Sequence, residues 1–167
     1  MAETQNPKTT IKRIGGYLQR IVPITDTTGK VVGHALKPFM VELHPRDLWQ
    51  ILVGASVLAL PISLTEEVWT LGSELPLVNI VLLSALSLFI IANFIYFNFY
   101  RFHFREHSLK YLLRVIATYV LALFTAALFL TLFGKAPWAN DWLLALKRSI
   151  LVAFPASMSA MISDVIK

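Results

Sequence analysis

The chain of 167 residues contains no cysteine. That excludes a disulfide framework, a thiol nucleophile and any thiolate metal site. Charge is scarce too: Asp, Glu, Lys and Arg make up 15% of the residues, against 56% hydrophobic. A water-soluble domain of this length needs more polar surface. The mean hydropathy of +0.64 reads as a membrane protein. No phosphate-binding loop, dinucleotide fingerprint or nucleophile elbow occurs, so the sequence implies no cofactor and no enzyme of those classes. Repeats and low-complexity tracts are missing as well. The first 46 residues are polar and mixed, and no cleavable signal peptide is expected.

What is present is a series of uncharged stretches: Leu48–Thr65, Leu75–Tyr100, Val115–Gly134 and Ser149–Ser163. A helix needs about 20 residues to cross the hydrocarbon core. The second and third stretches meet that length directly. The first meets it if the helix continues toward Gly72. The fourth meets it if Lys147 and Arg148 lie inside the helix. The reading is an all-α polytopic membrane protein with four transmembrane helices, near 46–71, 75–101, 108–133 and 140–166. A cytoplasmic N-terminal segment, residues 1–45, precedes the membrane domain, residues 46–167. Its β-branched runs flank Asp26-Thr27-Thr28-Gly29, which predicts a hairpin and a small β element near residues 18–43.

Charge placement gives an orientation. Residues 1–46 carry seven Lys or Arg, and the second connection adds Arg101, Arg105, Lys110 and Arg114. The loop after the first helix has three acids, Glu66, Glu67 and Glu74, and no base. The positive-inside rule then places both termini in the cytoplasm. Trp69, Trp138 and Trp142 fall at the outer interface, and Trp49 at the inner one. The basic loops follow membrane topology and call for no nucleic acid.

Candidate functional residues are the charges near or within the spans. Glu66 and Glu67 are adjacent, so about 100° separates them on a helix. At most one faces a given pore or partner. In a symmetric assembly that one would form an acidic ring that selects cations. The plainer alternative is a solvated helix end beside Trp69. A third reading pairs them with Lys147 and Arg148, which fall in the same layer; both bases could instead snorkel to headgroups, or face a pore and favour anions. Asp164 either caps a conduction path or pairs with Arg105, Lys110 or Arg114. Pro61 and Pro155 sit inside helices as kink or gating points, with small residues around them suited to close packing. Asn79, Asn93 and Asn98 are expected to bond neighbouring helices.

The string His103 to His107, HFREH, matches the inverted zinc-peptidase pattern. No later Glu supplies a third ligand, and the chain offers no soluble cleft. A basic, titratable loop is the favoured reading, and His34, His44, His103 and His107 would lend it pH sensitivity.

At "LPISLTEEVWTLG" and "VAFPASMSAMISD" the sequence resembles a family of uncharacterised prokaryotic integral membrane proteins, catalogued under a domain of unknown function. The family motifs map onto Pro61, Thr65, Glu67 and Trp69, and onto Phe154, Pro155, Ala156 and Ser157. The resemblance implies a prokaryotic inner membrane, singles out Glu67 of the pair, and supplies no activity.

From its size, intramembrane charges and kinks, the sequence points first to a homo-oligomeric ion channel or ion-permeable pore. Its partners would be the lipid bilayer, copies of itself and an inorganic ion. Helix one or the proline-containing helix four would line the pore. The alternative is a non-conducting scaffold or regulatory subunit, with a membrane zinc hydrolase as the remote third.

Overall fold

A computed structural model describes residues 10–14, 17–26, 31–38, 43–100 and 104–166. The chain divides into two compact units, Met1–Glu42 and Leu43–Lys167.

The first unit is a three-stranded antiparallel sheet in the order β1 (Thr10–Ile14), β2 (Tyr17–Thr25), β3 (Val31–Pro38). The β2–β3 pair runs from Gln19↔Pro38 to Thr25↔Val31, with a register shift between Ile24 and Thr25. It is the hairpin expected around Asp26; residues 27–30 of that turn lie outside the described residues. β1 is an addition to the expected element. It closes on β2 at Ile14↔Tyr17, leaving Gly15-Gly16 between the strands, a dipeptide typical of two-residue hairpins.

The second unit is helical. α1 spans Pro45–Ser63, α2 Glu66–Glu74, α3 Leu77–Ile95, α4 Phe104–Leu132 and α5 Trp142–Val165. α3 runs on into a π-helical turn, Tyr96–Tyr100. Among the described residues, three helices are long and apolar enough to cross a membrane. The α1/α2 pair makes a fourth if it counts as one broken span, bent by 83°.

That bend corrects the expected first helix, which does not run on to residue 71. Pro61 donates no backbone hydrogen bond. The last turn tightens to i→i−3 bonds, Leu64 N to Pro61 O at 3.2 Å and Thr65 N to Ile62 O at 3.1 Å. The Thr65 hydroxyl donates back to Ile62 O at 2.7 Å, and the Trp69 indole N–H donates to Ser63 O at 3.0 Å. The carbonyls that a longer helix would have used are thus satisfied by side chains. α2 then starts afresh, with Glu66 and Glu67 in its first turn, where the helix dipole favours acids.

The core is built by α1, α4 and α5. Ile51, Ala55 and Ala59 of α1 meet Ala122, Ala126 and Leu130 of α4 and Val152, Ala153, Ala156 and Ala160 of α5. In lipid this packing rests on close van der Waals fit, and small residues provide it. Gly54 lies so near α5 that an added Cβ would collide with Ser163 and come within 3.0 Å of the Ala160 backbone. α3 is tied to this core by hydroxyl pairs, Ser84 with Tyr119 and Ser87 with Ser157, the latter at 2.8 Å. α5 is helical straight through Pro155.

Candidate functional site

Charged side chains gather at the two ends of the helical unit, and the ends differ. At the end where α2 lies, the four charges singled out from sequence do not pair with one another. Glu66 and Glu67 are exposed on α2. Lys147 donates from Nζ to Leu75 O at 2.6 Å. Arg148 donates from Nε to Trp69 O at 3.2 Å and from Nη1 to Lys135 O at 2.7 Å. Lys147 thus meets the C-terminal end of α2, where carbonyls lack helical partners and the dipole favours cations, while Arg148 links the Trp69 carbonyl, in the middle of α2, to the Lys135 carbonyl after α4. The Lys135 ammonium sits 3.8 Å from the centre of the Trp69 ring. Gly72 makes the fit possible, because a Cβ there would lie 2.5 Å from Arg148 Cγ. A cavity of about 130 Å³ lies beside this contact, lined by Gly72, Ser73, Asp141, Leu143, Leu144 and Lys147.

The opposite end holds a buried charge network. Arg114 of α4 is fully buried and grips Asp164 of α5 with two bonds, Nε to Oδ2 at 2.8 Å and Nη2 to Oδ1 at 2.9 Å. Asp47 of α1 adds a second buried carboxylate, its Oδ2 at 3.7 Å from Arg114 Nη2. The Phe99 ring lies 4.1 Å from the guanidinium carbon, and buried Tyr100 hydrogen-bonds Arg114. The wide π turn brings both aromatics to this place, consistent with the use of such turns at special sites. The network thus joins α1, α4, α5 and the end of α3.

Of the pairings open to Asp164, the structure selects Arg114. Asp47 is the member that the sequence reading missed. It stands at the third position of α1, behind Pro45, and accepts from His44 N at 3.2 Å. Such a residue reads as an ordinary helix-start acid. His44 Nδ1 lies 3.8 Å from Asp47 Oδ2.

The remaining candidates are dispersed. Pro61 stands one turn before the α1/α2 break, and Pro155 lies in α5 beside the core residues Ala153 and Ala156. Asn93 and Asn98 do not bond neighbouring helices: each donates to its own helix, to Phe89 O and Phe94 O, both at 2.8 Å. His103 and the side chains of 104–107, the HFREH string, lie outside the described residues. Among the described residues no group of three or more His, Cys, Asp or Glu is placed to hold a metal ion.

No curated protein and no solved structure matches this chain. A family model described as "Putative integral membrane protein (DUF2391)" matches residues 25–165. That range takes in the third strand and all five helices, together with Glu67, Arg114, Asp47 and Asp164. The chain belongs to this family of integral membrane proteins, whose function is unknown.

Proposed function

We propose that the protein is a non-conducting, non-catalytic membrane subunit that acts by association within the bilayer. One observation carries this reading. The exposed side chains of α3, α4 and α5 include no ionisable group among those described, and α1 exposes only Arg46, at its first turn. An aqueous path along an oligomer axis needs a polar or charged lining. Here Arg114, Asp164 and Asp47 are buried in one network, and Lys147 and Arg148 hold backbone carbonyls. They have work inside the chain, and along α3, α4 and α5 no described ionisable side chain is left exposed to line an aqueous path. The small-residue faces of α1 and α5, the candidates for a pore lining, are likewise used against each other.

The homo-oligomeric ion channel, with an inorganic ion as partner, is the second reading. Glu66 and Glu67 favour it, because both are exposed at one end of the unit. For either reading we place the protein in a prokaryotic inner membrane, as the family resemblance implies, with both termini cytoplasmic from the distribution of basic residues. Proteoliposome flux separates the two. The expected result is K⁺, Na⁺, Cl⁻ and H⁺ flux equal to that of protein-free vesicles at acidic and neutral pH. Flux that Glu67→Gln abolishes would overturn the non-conducting reading.

A further inference from the structure

We infer that the first partner of this subunit is a second copy of itself, docked in parallel along α3 with Asn93 against Asn93. The inference rests on the association reading above and names the occupant of one surface. α3 is the span least engaged within its own chain: 22% of it is buried, against 39% for each of α4 and α5. Its free side is not uniformly oily. Asn79, Leu82, Leu86, Phe89 and Asn93 are all exposed, and their spacing of 3, 4, 3 and 4 is the heptad spacing of a helix–helix seam. The two asparagines stand two heptads apart, at equivalent positions of the repeat.

Depth gives Asn93 its meaning. It lies seven residues before Tyr100, about 10 Å along the helix at 1.5 Å per residue, and so within the hydrocarbon. Its Nδ2 serves Phe89 O. The carboxamide oxygen and the second N–H have no partner among the described residues. Lipid tails offer none.

A second copy does, for a reason of symmetry. Two chains inserted the same way are related by an axis along the membrane normal, so equal depths meet. Asn93 then faces Asn93, and Asn79 faces Asn79. A carboxamide both donates and accepts, which makes the pair self-complementary. Asparagine at this position of a heptad also sets register in parallel pairs. Neither α4 nor α5 carries a comparable free amide: their exposed residues within the spans are chiefly Leu, Ile, Val and Phe.

The chain contains no cysteine, which makes the test direct. Single substitutions Leu82→Cys, Leu86→Cys, Phe89→Cys and Asn93→Cys are oxidised with copper phenanthroline in full-length protein in lipid nanodiscs and native membranes. Val120→Cys, on the exposed side of α4, serves as control. The expected result is disulfide dimer at the seam positions and little at Val120→Cys. Asn93→Leu should lower the dimer association constant by about 3- to 30-fold, the range for interhelical polar contacts in membranes. Asn79→Leu is the second variant, and helical circular dichroism checks that both fold. Cross-linking no stronger at the seam than on α4, or association unmoved by both Asn variants, overturns the inference. In that case silent vesicles still leave the non-conducting reading standing, whereas ion flux alone removes that reading and leaves a seam dimer intact.

Discussion

Arg114 is the most constrained residue of the helical unit. It is wholly buried, it is held by two carboxylates, and its bidentate bond to Asp164 fixes its plane. Removing one member of such a pair strands the other in a low-dielectric interior, whereas removing both can be nearly neutral. Arg114→Met should therefore destabilise the protein by about 3–5 kcal/mol. Arg114→Met combined with Asp164→Leu should recover part of that loss. Recovery stays incomplete because the buried Asp47 carboxyl also loses its guanidinium neighbour. Unfolding in mixed micelles measures both, and an Arg114→Met protein as stable as the original would refute the account. Gly72 gives a second case. A methyl group there meets Arg148 Cγ, so Gly72→Ala should lower stability by about 1–3 kcal/mol through overpacking. The cost falls on the Arg148 contacts with Trp69 O and Lys135 O, and a thermal melt in detergent reads it.

Among the elements, α2 is the one whose existence depends on residues far away in sequence. It has nine residues, too few to persist alone in water. Lys147 holds its C-terminal end and Arg148 its middle, and Trp69 ties it back to Ser63. Arg148→Met should therefore raise hydrogen exchange across 66–74 by at least about tenfold, a local opening, while residues 51–59 of α1 stay protected. Equal protection in both proteins would show that α2 stands without Arg148. These distant contacts also explain what the sequence could not disclose. The spans of α3, α4 and α5 were legible because uncharged runs of sufficient length admit little else in a bilayer. The break after Ser63 was not, because the uncharged run continues through Thr65 and only side-chain bonds to Ile62 O and Ser63 O replace the missing turn. Asp164 was legible as one half of a pair, since an acid near the end of a span needs a base. Asp47 was hidden by its ordinary look as a helix-start acid. Of the readings open to Lys147 and Arg148, none named the backbone carbonyls of Leu75, Trp69 and Lys135 that they hold, because such acceptors do not show in a list of charges. β1 was missed although Gly15-Gly16 is a strong hairpin signal in sequence.

For the molecule as a whole, the open geometric matter is whether the bent α1/α2 pair crosses the membrane, and this decides the topology. α1 has 19 residues, about 28 Å at 1.5 Å per residue, close to the hydrocarbon thickness. Its start joins the Arg114 network, which lies about three turns into α4 and at the end of α5. Its far end leads into α2, which is held by the opposite end of α5. A helix with its two ends fixed in this way runs beside α5 from the level of Asp164 to that of Arg148, which favours counting the bent α1/α2 pair as a broken span. Four crossings then put Arg46 and Ser108 on one side and Ser73 and Ala139 on the other; all four are exposed. The absence of native cysteine allows each to be replaced singly by Cys and probed with a membrane-impermeant maleimide on intact cells. On the orientation proposed from the positive-inside rule, Ser73→Cys and Ala139→Cys should label from outside, and Arg46→Cys and Ser108→Cys only after permeabilisation. Labelling of Arg46→Cys together with Ser73→Cys would mean that α1 re-enters on one face. The reverse pattern at all four sites would leave the crossings intact and invert the orientation, against the charge asymmetry of the connections.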